Sequence, residues 1–200
     1  MSDLPLKKYR KKSQQALVSE QDRSNSQVIY EALFELLLSQ GYANISLQQL
    51  SKLTGISRTT LYRRWSSLDD LIVDAIAKKI QDSIEIPQEL APIDAFKIML
   101  QQLAMFLQSP LGHSFLQASL NIKDEISIRK RQDLWHARYQ LIAQSFQRLL
   151  PENQQQQNIH DIISMTLGSF YFQIFIENKK VDDSFINAVL RNSLTLLQSR

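Results

Sequence analysis

From Gln27 onward, apolar residues recur at intervals of three and four, the spacing that lines one face of an α-helix, and no stretch alternates as a half-buried strand would. Ile29, Ala32, Leu33, Leu36 and Leu37 share one such face, and Gly41 follows where a helix is expected to stop. This periodicity confines the chain to an all-α fold. Composition narrows it further. Only four Gly among 200 residues leave little material for phosphate-cradling loops or the turns of a many-stranded sheet, and the absence of Cys excludes disulfides, thiol nucleophiles and Cys-ligated metals.

The order of elements follows from caps and prolines. Ser46, with Gln49 three residues later, is a capping-box pattern that opens a short helix through Leu50 and Leu53. Ser57 caps another that runs through Leu61 and Tyr62 to Trp65. Ser66 or Ser67, followed by Asp69 and Asp70, opens a third through Leu71, Ile72, Ala75, Ile76 and Ile80. Pro87, Pro92, Pro110 and Pro151 are read as breaks between the later periodic segments: Phe96 to Leu107, Phe115 to Leu120, Ile126 to Leu150, Ile159 to Glu177 and Ser184 to Gln198. The polar run Gln154 to Gln157 reads as a loop between helices, and no internal repeat is present.

Residues 47–65 carry the functional signal. Two short helices flank Thr54-Gly55-Ile56-Ser57, a tight Gly-containing turn of the helix-turn-helix kind. On the second helix Arg58, Thr59, Tyr62 and Arg63 point away from an Ile56 and Leu61 anchor. Between Ser46 and Trp65 lie Lys52, Arg58, Arg63 and Arg64 and no acidic residue. Arginine can fork onto guanine O6 and N7, while Thr and Tyr hydroxyls bond phosphates or touch a thymine methyl, so this face suits double-stranded DNA. A solvated basic helix face is the bland alternative, and the combination of turn, caps and one-signed charge argues against it.

The residues Ile29-Tyr30-Glu31-Ala32-Leu33-Phe34-Glu35-Leu36, Gly41-Tyr42, Ser46-Leu47-Gln48-Gln49-Leu50, Gly55-Ile56-Ser57 and Leu61-Tyr62-Arg63-Arg64-Trp65, in consistent spacing, resemble the N-terminal domain of TetR-type transcriptional regulators. The resemblance implies an N-terminal three-helix helix-turn-helix domain joined to a larger helical dimerisation and ligand domain. Carried over residue by residue, it sets Arg58, Thr59 and Thr60 toward bases and Tyr62, Arg63 and Arg64 toward backbone or bases, with Ser46 and Gln48 contributed by the supporting helix. Where many relatives have a Pro and then a DNA-contacting Lys after the recognition helix, this chain has Ser66 and Leu68. The basic cluster Lys7, Lys8, Arg10, Lys11 and Lys12 is a candidate substitute for that contact, as a flexible arm reaching an adjacent minor groove. The expected organisation is an arm over residues 1–24, a DNA-binding domain over 25–70 with its motif at 46–65, and a regulatory and dimerisation domain over 71–200.

For the C-terminal part the resemblance implies dimerisation through the last two long helices. The sequence supports this in part, because Ile162, Ile163, Leu167, Phe170, Tyr171, Phe172, Ile174 and Phe175 make the penultimate helix apolar around most of its circumference. The expected interface takes Ile163, Leu167, Gly168, Tyr171, Ile174 and Phe175 from that helix, and Ile186 and Leu190 from the last. A candidate pocket for an apolar or weakly polar small molecule is assembled from Met105, Phe106, Phe115, Trp135, His136, Tyr139, Met165 and Phe170.

Other classes fit worse. His113, His136 and His160 lack helical metal-ligand spacing, and neither a nucleophile elbow nor a phosphate loop is present, so no catalytic residue, metal or cofactor is expected. No apolar run approaches the roughly 18 to 20 residues of a membrane span, and the N-terminus lacks the apolar core of a signal peptide, which reads as a cytoplasmic protein without a membrane partner. A helical adaptor of the same fold that binds no DNA is the remaining alternative. The net charge of +3 divides unevenly: residues 1–65 hold 10 Lys+Arg against 5 Asp+Glu, whereas 66–200 hold 13 against 15. The expectation is a homodimeric repressor that reads a palindrome with half-sites about one or two helical turns apart.

Overall fold

The computed structural model describes residues 24–87, 89–149 and 159–198. All regular structure among them is helical, and the chain divides into two compact units, Met1–Leu68 and Asp69–Arg200. The basic cluster at residues 7–12 and the polar run at 154–157 lie outside the described residues.

In the first unit, α1 spans residues 24–40 and buries Ile29, Tyr30, Leu33, Leu36 and Leu37 along one face. It stops at Gly41, whose φ of 70° and ψ of 164° suit a residue without a Cβ, and whose N–H donates to the Leu37 carbonyl at 3.2 Å. After a 3₁₀ turn, Tyr42–Asn44, come α2, Leu47–Thr54, and α3, Arg58–Arg64. Leu47, Leu50, Leu61 and Trp65 complete the core that α1 begins. Tyr30 meets the Trp65 ring edge-on, with centroids 6.1 Å apart.

The second unit is built from α4 (Leu68–Ser83), α5 (Pro92–Gln108), α6 (Pro110–Asn121), α7 (Glu125–Gln147), α8 (Ile159–Tyr171) and α9 (Asp183–Gln198). A π-helical turn, Phe172–Ile176, extends α8. Pro92 and Pro110, expected as breaks between helices, are instead the first residues of α5 and α6, a position where the missing N–H costs nothing. Helix α6 therefore starts five residues earlier than its apolar spacing suggests. Ser109 and Asp124 cap α6 and α7, accepting from Gly112 N and from Ile126 N and Ser127 N. Phe96 of α5 stacks edge-on against Phe146 of α7 at 4.4 Å, both fully buried. Helices α8 and α9 are joined by a buried hydroxyl pair, Thr166 and Ser193, 2.7 Å apart, and by Phe170 against Phe185 at 5.6 Å.

Residues Ile159–Ile176 form an 18-residue helical stretch that is long and apolar enough, by length and composition, to cross a membrane. Interspersed Ser, Thr, Gly and Gln hide it as a run in the sequence, yet they carry no charge to lower its hydropathy. In the protein its inward residues, Ile162, Ile163, Thr166, Phe170 and Ile174, are buried within the second unit.

Candidate functional site

The turn between α2 and α3 is fixed by local bonds. Ser46 caps α2, accepting from Gln49 N at 3.2 Å and donating to Gln49 Oε1 at 3.1 Å. Gly55 takes the left-handed conformation, φ 71° and ψ 0°, and its N–H closes the helix onto the Ser51 carbonyl. Ser51 Oγ donates to the Ile56 carbonyl at 2.8 Å, and Thr54 Oγ1 accepts from Ile56 N at 3.2 Å. Ser57 then caps α3 by accepting from Thr60 N at 3.2 Å. Few polar groups in the turn are left to water, so the angle between the two helices is set by the turn itself.

Around this frame α3 presents two unlike sides. Leu61 and the capping residue Trp65 are buried, while Arg58, Thr59, Tyr62 and Arg63 are exposed, Tyr62 by 53%. Gln48 is exposed on α2. Three expected DNA-facing residues are already engaged. The Ser46 hydroxyl serves the capping box, and the Thr60 hydroxyl sits 2.9 Å from Ser57 Oγ on a half-buried residue. Arg64 lays its guanidinium 4.8 Å above the Trp65 ring and is half-buried, so part of its role is to cover that ring. The Gly, Ser and Thr residues that hold the motif are thus distinct from the Arg and Tyr residues that face outward.

Among the described residues of the second unit lie two neighbouring small cavities of about 40 Å³ each. Both are bordered by Ile80, Phe106, Leu107, Trp135 and Tyr171, so these five side chains form the wall between them. Of the residues expected to line a pocket, Phe106, Phe115 and Trp135 do so. The other five do not. Met105 and Met165 are 74% and 54% exposed, and Phe170 is fully buried against Phe185. His136 is exposed beside Gln140, and Tyr139 bonds Ser164 Oγ at 2.7 Å and stacks on His160. The helix faces explain this outcome. Trp135, Arg138 and Ile142 of α7 line the first cavity at i, i+3 and i+7, whereas His136 and Tyr139 are turned one residue aside. The same spacing from Trp135 would have found Arg138 in the sequence.

Arg138 donates from Nη2 to the Ile84 carbonyl at 2.9 Å, just past the end of α4, and burial pushes its guanidinium below the ordinary value. Burial, with a smaller contribution from Tyr139, raises the Tyr171 phenol to about 12. The other end of α4 is also tied: Asp70, buried, pairs with Lys130, and Asp69 Oδ2 accepts from Lys123 N at 3.2 Å.

The residues expected at a dimer interface are mostly spent inside the protomer. Ile163, Ile174, Ile186 and Leu190 are buried within the second unit, Leu167 and Tyr171 line the cavity, and Phe175 packs on His113 at 4.8 Å. Gly168 is exposed with nothing within 4 Å of where a Cβ would stand, so within the protomer it allows no close helix approach. The outward apolar stripe of this segment is instead Met165, Gly168, Phe172 and Ile176, with Ile176 72% exposed.

Comparison with known proteins follows the same division. Residues 29–78 match the sequence profile described as bacterial regulatory proteins, tetR family. The chain is similar to the uncharacterized HTH-type transcriptional regulator YdeS of Bacillus subtilis (strain 168), 19% identical over 89% of this chain and 92% of that protein. It is 23% identical to the HTH-type transcriptional regulator AqdR of Rhodococcus erythropolis over 55% of this chain and 54% of that one. Among solved structures, the TetR family transcription regulator SCO0332 matches at TM-score 0.66 and 21% identity, covering 87% of this chain and 97% of that one. The Flavonoid-responsive Regulator FrrA matches at TM-score 0.62 and 18% identity, over 87% and 95%. These two share the fold across both units. Residues 29–78 thus match the N-terminal domain of the tetR family of bacterial regulatory proteins, and the fold of the whole chain is similar to that of solved members of that family.

Proposed function

We propose that the protein is a homodimeric, sequence-specific DNA-binding repressor whose hold on a palindromic operator is relieved by a small molecule in its second unit. The observation that carries the reading is the outer face of α3: Arg58, Thr59, Tyr62 and Arg63 exposed around buried Leu61 and Trp65, on a helix whose entry angle is fixed by Gly55 and Ser57. A seven-residue helix with a rigid base and a basic, hydroxyl-bearing face is shaped to enter a major groove. The protein works by binding, without catalysis, in the cytoplasm where its DNA lies. The exposed stripe Met165, Gly168, Phe172 and Ile176 supplies the dimer contact, because an apolar row of this kind is stabilised by a two-fold partner.

A titration of fluorescent duplexes, random against selected, at several salt concentrations tests the reading. Tight binding to enriched palindromes with a steep salt slope is expected. Equal, weak affinity for all duplexes at every salt concentration would leave the helical adaptor in its place. Arg58→Ala is expected to lose about 1 to 3 kcal/mol of discrimination at one position of each half-site. A uniform loss on every sequence would remove the base contact from Arg58. For the dimer, Phe172→Glu together with Ile176→Lys is expected to give monomers by sedimentation with helicity retained; dimers of unchanged affinity would exclude this stripe as the interface.

A further inference from the structure

The polar groups of the first cavity are all of one kind. Arg138 brings a guanidinium with five N–H donors, of which Ile84 O takes one. Trp135 brings an indole N–H and Tyr171 a phenol, and neither has a hydrogen-bond partner among the described residues. A phenol whose pKa is about 12 remains a donor at any pH the protein meets. No Asp or Glu lines either cavity; Ser119, in the second, is the one other polar side chain. The remaining wall is apolar and largely aromatic, with Phe106 and Phe115 tilted against each other at 5.9 Å. Arg138 is half-buried, burial lowers its pKa, and the one hydrogen bond it makes here goes to a neutral backbone carbonyl, so a charged acceptor in the cavity would be a stronger partner.

We propose that this cavity takes a ring-bearing, otherwise apolar molecule carrying one anionic group, bound by Arg138 with Trp135 and Tyr171 as neutral donors. The inference rests on the reading of the second unit as an effector domain and names the class of effector. The anion takes guanidinium N–H groups in competition with the Ile84 carbonyl, because a charged acceptor makes the stronger bond. Ile84 closes the last turn of α4, its N–H bonded to Ile80 O at 2.9 Å, so Arg138 also counters the negative end of that helix. Ligand binding therefore loosens one end of α4, while Asp70 and Lys130 hold the other. A cavity of about 40 Å³ is too small for such a molecule as it stands, so Phe106 or Trp135 turns aside on entry and joins the two cavities.

The test is calorimetry on the full chain with matched pairs, benzoate against benzamide and 2-naphthoate against 2-naphthamide. An acid of at least one pair is expected to bind about tenfold or more tightly than its amide. Arg138→Gln, which can still donate to Ile84 O, is expected to bring acid and amide within about twofold of each other. Trp135→Phe is expected to weaken both members of a pair alike, and the wild-type comparison stands even if either variant folds poorly. Equal binding of acid and amide, an acid preference that survives Arg138→Gln, or no binding of either acid up to about 1 mM would each overturn the inference. Operator binding measured alongside separates it from the regulatory reading. Acid binding that depends on Arg138 but leaves DNA affinity unchanged upholds the site and removes its control of DNA. Release of DNA by acid and amide equally keeps the control and overturns the proposed class.

Discussion

Trp65→Ala is expected to unfold the DNA-binding unit near physiological temperature while the second unit stays folded. Trp65 is 1% exposed, closes the core against Tyr30, and lies directly after the helix that carries the recognition face. Truncating a buried Trp to Ala costs about 3 to 5 kcal/mol, and a small unit has few other apolar contacts to draw on. For a domain of this size that loss lowers the melting temperature by roughly 15 °C or more. Arg64 also loses the ring it covers, which adds to the cost. Calorimetry should show one transition moved down and one unchanged, with operator binding lost together with the first. Trp65→Phe, which refills most of the volume, should restore most of the stability. If Trp65→Ala leaves both transitions in place, the Trp65 ring does not hold this unit together.

The contrast between the two units explains what could be read from the sequence. In the first, each decisive signal is local. Ser46, Gly55 and Ser57 set caps and the turn through residues at most four apart, and the exposed Arg58, Thr59, Tyr62 and Arg63 follow from one buried Leu61. In the second, the helices were legible and their inward faces were not, because a face is chosen by elements distant in the chain. Leu103 rather than Met105 faces the cavity since Met99, Leu103, Phe106 and Leu107 share one side of α5. The apolar excess of α8 is divided between a core around Ile163 and Phe170 and the outward row ending at Ile176, and periodicity alone cannot assign either to a partner. The π turn at Phe172–Ile176 changes the helical register over the last turn of this segment. Nothing in the residues themselves announces that turn.

Gly112→Ala is the second substitution with a large expected effect, and its sign is the diagnostic part. In an exposed helix interior, Gly to Ala stabilises by about 1 kcal/mol. Gly112 is in the first turn of α6, buried where α5 turns into α6, and an added Cβ would fall on the Phe106 carbonyl oxygen. It would also stand 2.9 Å from the Phe106 carbonyl carbon and 3.0 Å from Leu107 Cα, all backbone atoms of the preceding helix. That carbonyl cannot withdraw freely, because it accepts from both Ser109 N, at 3.1 Å, and Ser109 Oγ, at 2.7 Å. Ser109 Oγ in turn accepts from Gly112 N at 3.0 Å, so the corner is a closed set of bonds with no room for a methyl group. Opening it should cost about 3 kcal/mol, the upper end for overpacking, read as a lower urea midpoint for the second unit. Phe106 and Leu107 wall both cavities, so the same displacement should weaken binding of an aromatic acid more than Arg58→Ala does, although neither residue contacts the acid through a polar group. A Gly112→Ala protein as stable as the parent would mean that the α5–α6 corner yields at low cost, and that the wall between the cavities moves without help from a ligand.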